Sequence, residues 1–174
     1  MRHVRIRQAF DPDLPALADS LGQEHYFADQ LARQRDGHGV LLVAWDAFIP
    51  VGDVYLWLGS AEEPELRDRL PGVPLLTHLE VAPGHRGACI GTLLVGTAEQ
   101  CLVARGHTRV ALGVAPDNER VHRFYHRLGY VEWPYPPIWT SRDVYGPDGV
   151  VLREAERCRV FVKELRRAEV GGRR

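Results

Sequence analysis

The feature that most constrains the fold is a strand, a glycine-flanked turn and a helix start within PLLTHLEVAPGHRGACIGTLL, residues 74–94. Residues 75–81 are rich in leucine and valine and stop before Pro83, which predicts a mostly buried strand closed by proline. Apolar residues then recur at helical spacing, at Ile90, Leu93, Leu94, Ala98 and Cys101. This spacing predicts a helix that runs to about Ala104 and buries one face.

The turn before this helix is bracketed by Gly87 and Gly91. A helix start exposes backbone N–H groups and the positive end of the helix dipole, and glycine lets a ligand approach the backbone. Residues 86–92 therefore resemble an anion-binding turn. The same glycines could instead allow the helix to pack tightly on the strand. The spacing matches neither GxGxxG nor a Walker A loop, which needs a lysine after the last glycine.

A second strand and helix follow. Residues 108–114 are a short apolar run, which predicts a strand. In APDNERVHRFYHRLGY, residues 115–130, the spacing i, i+3, i+4 and i+7 predicts an amphipathic helix with Val121, Phe124, Tyr125 and Leu128 on one face. Gly129 then stands where helix C-termini favour a left-handed glycine.

The remaining segments are shorter or less regular. Their patterns predict a first strand, two helices and an antiparallel hairpin, at residues 3–10, 13–22, 25–37, 39–45 and 51–58. Residues 132–149 are rich in proline and aromatic side chains, which predicts an irregular loop. Regular strand structure is expected again at residues 158–165.

The order strand, R-G-x-x-I-G-x-x-L-L, helix, strand, N-x-x-V-x-x-F-Y-x-x-x-G-Y resembles the GNAT acetyltransferase superfamily. Its members transfer an acyl group from acetyl-CoA to an amine. The resemblance implies an α/β (α+β) fold, with a single mixed, mostly antiparallel, twisted sheet of six to seven strands flanked by about four helices. One domain is expected over residues 1–168, followed by a flexible tail at 169–174. Cys89 stands where the superfamily usually has glycine.

Composition limits the possible partners and compartments. A net charge of −1 and the absence of a basic face argue against nucleic acid, and 45% hydrophobic residues suffice for a core. No apolar run reaches the roughly 20 residues of a membrane span, and the N-terminus lacks a signal-peptide core, so we expect a cytoplasmic protein without a membrane partner. Cys89, Cys101 and Cys158 form no CxxC pair and the histidines do not cluster, so neither a disulfide framework nor a metal site is expected.

The resemblance implies that backbone groups hold most of the cosubstrate, acetyl-CoA. Leu79 and Val81 would pair with its pantetheine arm as an added strand would. The pyrophosphate would be held by Arg86, Gly87, Ala88, Cys89, Ile90, Gly91 and Thr92. Asn118 matches an asparagine that faces the cofactor in the superfamily, although it could simply be the N-cap of its helix.

Acyl transfer needs an acid and a base, since an alkylamine with a pKa of about 10 is mostly ammonium at neutral pH. By resemblance, Tyr125 would protonate the departing thiolate, although its position also suits a core residue. Strand alternation places Leu75, Thr77, Leu79 and Val81 on one face of residues 75–81, with His78 and Glu80 on the other. Either could act as the base. The resemblance makes Glu80 the first choice, with His78 as the other candidate, and pairing of Glu80 with a basic neighbour is the structural alternative.

The acceptor is predicted to be the primary amine of a small molecule, attacked directly in a ternary complex. Candidate substrate contacts are Tyr26, Tyr55, Trp57 and His78, and the aromatic ones could equally belong to the core. Glu24, Asp53, Glu80 and Glu132 could form an acidic pocket if the fold brings them together. Alternatives are a protein or peptide N-terminal acetyltransferase and a non-catalytic acyl-CoA sensor. A homodimer is plausible by resemblance.

Overall fold

Antiparallel pairing accounts for most of the sheet in the computed structural model, which describes residues 3–166. The expected tail at 169–174 lies outside these residues. The strands are β1 (Val4–Gln8), β2 (Gly39–Asp46), β3 (Ile49–Trp57), β4 (Leu75–Val81), β5 (Arg109–Val114), β6 (Val131–Glu132), β7 (Ile138–Tyr145) and β8 (Val151–Glu164).

The helices lie between strands along the chain, two of them between β1 and β2 and one in each of three later connections. They are α1 (Leu14–Leu21), α2 (Glu24–Arg35), α3 (Pro64–Arg69), α4 (Ile90–Ala104) and α5 (Glu119–Arg127). The predicted α/β architecture is therefore confirmed, with eight strands and five α-helices among the described residues. Within residues 3–166, no helix combines the length and the apolar character that a bilayer span requires.

The sheet has the strand order β1-β2-β3-β4-β5-β8-β6, with β7 paired to β8. All neighbouring strands are antiparallel except β4 and β5, which are parallel and share one registered pair, Leu75 with Ala111. Strand β8 pairs with β5 through residues 159–164 and with β7 through residues 151–158. It therefore joins the main sheet to a two-stranded extension.

Helices cover both faces of the sheet, which explains why β2 is a continuous apolar run. Its even-numbered residues Val40, Leu42 and Ala44 pack in the cluster that includes Leu94, Ala98 and Leu102 of α4. Its odd-numbered residues Leu41, Val43 and Trp45 pack with Leu17, Tyr26, Phe27 and Leu31 of α1 and α2. We call these the α4 face and the α2 face.

The predicted helix after the glycine-flanked turn, α4, and the predicted helix after β5, α5, are both confirmed. Helix α5 is capped by Asn118, whose side-chain oxygen accepts from the Val121 N–H at 3.3 Å, and it stops before Gly129 with φ at 93°. Such a glycine ends a helix at low cost because it lacks a Cβ.

The loop predicted at residues 132–149 is wrong for half of its length. Strand β7 occupies Ile138–Tyr145 and pairs with β8, which begins at Val151 instead of near Cys158. Gly149, with φ at 81°, lies in the turn between them. The prolines are concentrated before β7, so they leave its hydrogen-bonding pattern intact.

Candidate active site

Strands β4 and β5 separate soon after they meet. Beyond the Leu75–Ala111 pair, β4 continues to Val81 along β3, while no strand of residues 3–166 pairs with its other edge. The Val81 carbonyl at the end of that edge accepts a hydrogen bond from the Arg86 guanidinium at 3.0 Å. An unpaired edge of this kind can receive an extended ligand, as an added strand would.

The turn from β4 into α4 has a backbone that needs left-handed residues. Gly87 has φ at 81° and Cys89, the residue before the helix, has φ at 60°. Regular helix bonding begins with the Leu93 N–H, which donates to the Cys89 carbonyl at 3.1 Å. The amides of Ile90, Gly91 and Thr92 in the first turn thus have no partner inside the helix, as anion binding requires.

The alternative explanation, that the two glycines allow the helix to pack tightly on the strand, is not supported. A Cβ on Gly91 would lie 3.6 Å from Phe124 and 3.9 Å from Val81, which is ordinary contact distance. Close packing therefore does not by itself require glycine at position 91. Gly87 is explained by its positive φ, because a side chain there would be strained. Next to this turn lies a cavity of about 280 Å³, lined in part by Arg86, Ala88 and Ile90.

Tyr125 lies on the α4 face, in the same cluster as Leu79 and Val81. It is 5% exposed, and its ring meets that of Tyr130 edge-on at 5.3 Å. Burial raises the pKa of Tyr125, so the phenol remains protonated at neutral pH. A protonated phenol is what a proton donor requires. The roles of Tyr125 and of the capping residue Asn118 toward a cosubstrate stay predictions.

On the α2 face, four polar side chains meet beside β4. His78 Nδ1 lies 2.9 Å from Asp53 Oδ2, and His78 Nε2 lies 3.4 Å from Gln23 Oε1 and 3.8 Å from Glu80 Oε1. The Gln23 amide donates to Glu80 Oε2 at 3.1 Å. We call Gln23, Asp53, His78 and Glu80 the His78 cluster. Its two carboxylates give it negative charge.

A β-bulge in β4 produces this arrangement. Asp53 pairs with Glu80 and Tyr55 with Thr77, so the single residue between them on β3 faces two residues of β4. His78 is one of these two and has φ at 50°, which is rare for a residue with a side chain.

Because of this bulge, the predicted strand alternation in β4 is wrong in part. Leu79 and Val81 pack on the α4 face together with Leu76, whereas Leu75 packs in a different cluster with Leu66 and Leu70. Leu75 and Leu79 therefore do not share a face as predicted, because the extra residue reverses the alternation. His78 and Glu80 do lie on one side, as their 3.8 Å contact shows.

Burial and charge act on both members of the Asp53–His78 pair. Asp53 is 1% exposed, and this burial raises its pKa, against the opposing effects of the His78 hydrogen bond and charge. Burial alone lowers the pKa of His78, but the Asp53 hydrogen bond and the charges of Asp53 and Glu80 outweigh it. The pKa of His78 is consequently raised.

The predicted acceptor contacts separate into two groups. Tyr26 stacks on the His78 ring, with centroids 4.0 Å apart. The Tyr55 hydroxyl instead packs against Gly39, where a Cβ would come within 2.0 Å of it. Trp57 pairs with Leu75 at the far end of β3, stacks on His38 and donates to the Ser60 carbonyl. Among the described residues, neither of these two side chains forms a hydrogen bond or a ring contact with the His78 cluster.

The possible acidic pocket is assembled only in part. Asp53 and Glu80 converge, whereas Glu132 forms an ion pair with Arg159 of β8. Sequence reasoning did not identify Gln23 as a site residue and did not place Asp53 behind His78. A charged residue within the apolar β3 was the available signal for Asp53, because unpaired charge is rarely buried.

The same cluster bears on the expected absence of metal. Asp53, His78 and Glu80 each offer a ligand atom, and these atoms lie within 4.8 Å of one another. That spacing could accommodate one cation. The expectation of a metal-free site therefore stays a prediction.

The β7–β8 hairpin borders the cluster on the α2 face. The Tyr145 hydroxyl donates to Asp29 at 2.8 Å, and Arg33 pairs with Asp143 at 3.4 Å. The ring of Tyr145 also meets that of Tyr26 edge-on at 5.9 Å. The hairpin is thus connected to the residue that stacks on His78.

Comparisons with known proteins find a matching family model and similar solved structures. Residues 4–130 match the model of the Acetyltransferase (GNAT) family. The chain is similar to PaiA N-acetyltransferase from Thermoplasma acidophilum in complex with coenzyme A, with a TM-score of 0.62 and 14% identity over 93% of this chain and 99% of that chain. No curated protein matches it significantly.

Two further solved structures have similar folds. Ribosomal-protein-S18-alanine N-acetyltransferase from Escherichia coli gives a TM-score of 0.64 and 17% identity over 98% of this chain and 99% of that chain. The yncA protein of Salmonella typhimurium, solved with its cofactor acetyl-CoA, gives 0.63 and 16% over 98% of each chain. At such identities these structures establish the fold alone.

Proposed function

Because the chain belongs to the Acetyltransferase (GNAT) family, we propose that it transfers the acetyl group of acetyl-CoA to the primary amine of a small molecule by direct attack in a ternary complex. The observation that carries the proposal is the open edge of β4 beside the free amides of the first turn of α4. Two of the similar structures were solved with coenzyme A or acetyl-CoA.

The residues present fit acetyl-CoA as cosubstrate. The amides of Ile90, Gly91 and Thr92 would bind the pyrophosphate, and the helix dipole favours negative charge there. The β4 edge at Leu79 and Val81 would hold the pantetheine arm. Bound acetyl-CoA supplies the activated acyl carbon. Because the turn, the edge and Tyr125 all belong to the α4 face, the thioester would reach the acceptor through the gap between β4 and β5.

The acceptor would enter from the α2 face. The negative charge of Asp53 and Glu80 favours a cationic acceptor, and a primary amine is an ammonium ion in water. The β7–β8 hairpin lies beside the same cluster through Tyr145 and restricts the space. Both observations support a small amine.

Chemistry then needs two proton transfers. The ammonium must lose a proton before its nitrogen can attack, and His78 and Glu80 are the acceptors at hand. The departing thiolate takes a proton from Tyr125, which is held neutral by burial. Holding both reactants in position supplies much of the acceleration, without a covalent enzyme intermediate.

A thiol-release assay with acetyl-CoA tests the proposal. The acceptor panel comprises alkylamines and diamines, amino sugars, amino acids and short peptides with a free N-terminus, with a reaction lacking amine as control. We expect amine-dependent release of coenzyme A with at least one small amine. Release with peptides alone would instead identify an N-terminal acetyltransferase. Binding of acetyl-CoA without turnover on any amine would favour the sensor alternative.

A further inference from the structure

We propose that His78 is the proton acceptor for the attacking amine, that buried Asp53 positions it, and that Gln23 and Glu80 bind the incoming ammonium group. This inference rests on the proposed function and specifies its acceptor side. It assigns separate roles to the four residues of the His78 cluster.

Asp53 fixes the tautomer of His78 that can accept a proton at Nε2. Its carboxylate lies 2.9 Å from His78 Nδ1 and is 1% exposed, so the hydrogen bond is shielded from water. A buried carboxylate accepts from Nδ1–H and thereby leaves the lone pair on Nε2. The carboxylate also stabilises the imidazolium that forms when Nε2 takes a proton.

The backbone conformation and ring stacking set the position of the His78 ring. The bulge places His78 at φ 50°, and Tyr26 stacks on its ring with an angle of 27° between the planes. Gln23, just before α2, also has a positive φ, of 56°. Non-glycine residues in this conformation carry strain, which concentrates at functional sites when the surroundings hold it in place.

The open side of His78 fits a primary ammonium group. Nε2 faces two further acceptors, Gln23 Oε1 at 3.4 Å and Glu80 Oε1 at 3.8 Å. A primary ammonium carries three N–H donors, which equals the number of these acceptors. The Gln23 amide group donates to Glu80 Oε2 and so keeps its own oxygen directed at His78.

His78 suits the proton transfer better than Glu80. An ordinary glutamic acid has a pKa near 4.3 and an ordinary histidine near 6.5, so imidazole is the stronger base near neutral pH. The Glu80 side chain is also 55% exposed, whereas that of His78 is 22% exposed. An exposed carboxylate is well placed to bind an arriving cation.

The step balances as follows. One N–H bond of the ammonium breaks and its proton moves to His78 Nε2. The freed nitrogen lone pair forms the bond to the acyl carbon, and the carbon–sulfur bond breaks. A second nitrogen proton reaches the sulfur by way of the Tyr125 hydroxyl. His78 returns its proton to water, so one proton is released per acetyl group.

Among residues 3–166, three titratable groups face His78. They are Asp53 from β3, Glu80 from β4 itself and Tyr26 from α2, and Tyr145 of β7 contacts Tyr26 in turn. The two carboxylates raise the pKa of His78, and neutral tyrosines do not oppose them. The arriving ammonium lowers this pKa again by charge repulsion, which favours the neutral base.

The test compares His78→Asn, Asp53→Asn and Glu80→Gln with the wild-type chain. Asparagine tolerates positive φ, so His78→Asn retains the bulge. With an alkylamine from the panel, we expect His78→Asn to lower kcat by about 10²–10⁴-fold while the Kd of acetyl-CoA is retained. Glu80→Gln should raise KM for the amine more than it lowers kcat.

A weakly basic acceptor separates proton transfer from binding. An aromatic amine is neutral at pH 7 and needs no deprotonation before attack. His78→Asn should therefore lose far less activity with it than with the alkylamine. An equal loss with both acceptors, or wild-type kcat in His78→Asn with the alkylamine, would overturn the role of His78.

Titration of His78 by NMR tests Asp53 without any turnover. We expect the pKa of His78 to lie above that of a free histidine and to fall in Asp53→Asn, since the anionic partner is removed. The acid limb of the kcat/KM profile should lie at lower pH in Asp53→Asn than in the wild-type chain. An unchanged His78 pKa would refute positioning by Asp53. Failure of the wild-type chain to acetylate any amine would instead refute the proposed function.

Discussion

Backbone conformation distinguishes a few single residues of this chain. Among residues 3–166, four non-glycine residues have positive φ: Gln23, Ala47, His78 and Cys89. Gln23 and His78 belong to the His78 cluster, and Cys89 precedes α4 in the anion-binding turn. Ala47 lies in the tight connection between β2 and β3. Three of the four strained positions thus belong to the proposed site. Strained backbone conformations cluster at functional sites, where the surrounding structure holds them in place.

Replacing Cys89 with glycine should stabilise the protein. The left-handed conformation is unfavourable for a side chain, and Cys89 is exposed, so little packing is lost. We expect Cys89→Gly to raise the free energy of unfolding by about 0.5–1 kcal/mol, measured by denaturant titration. Ala88→Gly is the matched control, because Ala88 has no positive φ, and it should not stabilise. Equal effects of the two changes would contradict the explanation.

Removing the Tyr125 hydroxyl should affect turnover more than folding. Desolvation alone raises the pKa of Tyr125, with no contribution from a hydrogen bond to a described residue. Tyr125→Phe should therefore lower kcat by about 10²-fold, with the Kd of acetyl-CoA and the Tm nearly unchanged.

Tyr130→Phe provides the comparison for this change. It removes the hydrogen bond to Glu99 at 3.0 Å and keeps the ring that packs against Tyr125. It should reduce stability and leave kcat close to that of the wild-type chain. A normal rate in Tyr125→Phe would exclude Tyr125 as the acid.

At the scale of elements, sequence reasoning succeeded where local periodicity decides the structure. Helices α4 and α5 follow their apolar spacing, and Asn118 and Gly129 mark the ends of α5 as expected. The bulge in β4 was missed because it depends on the register with β3, which a single strand does not encode. The β7 strand was missed because pairing with β8 outweighs the proline-rich composition of the preceding segment.

The start of α4 gives a prediction about cosubstrate binding. A carboxylate at position 91 would face bound pyrophosphate, whereas the space around Gly91 tolerates a Cβ. We expect Gly91→Glu to weaken acetyl-CoA binding at least about tenfold in calorimetry, because like charges repel at a helix N-terminus. Gly91→Gln has nearly the same shape without the charge and should retain more of the affinity. Equal affinities of the two variants would count against the anion-binding turn.

At the scale of the whole molecule, the sheet separates the two proposed reactants. The anion-binding turn and Tyr125 belong to the α4 face, and the His78 cluster lies on the α2 face, bordered by α2 and the β7–β8 hairpin. Sequence analysis identified residues of both faces. It could not show that Asp53 and Gln23 meet at His78, because these residues are 25 and 55 positions away along the chain.

Loosening the hairpin should change acceptor binding alone. Tyr145→Phe removes the hydrogen bond to Asp29 and with it one of the contacts that hold the hairpin against α2. We expect KM for the amine to rise several-fold, roughly as the loss of about 1 kcal/mol implies, while the Kd of acetyl-CoA is unchanged. Ser141→Ala, on the exposed side of the same strand, should change neither the KM for the amine nor the Kd of acetyl-CoA. Parallel losses for both ligands would contradict the separation of the two faces.

The double pairing of β8 has a consequence for how relatives of this protein can diversify. One end of that strand is fixed in the central sheet beside β5, and the other forms the hairpin with β7 that borders the proposed acceptor site. Substitutions in the outer half can reshape selectivity while the inherited chemistry of acyl donation stays intact. Paralogues with new acceptors are therefore expected to differ first along residues 138–158.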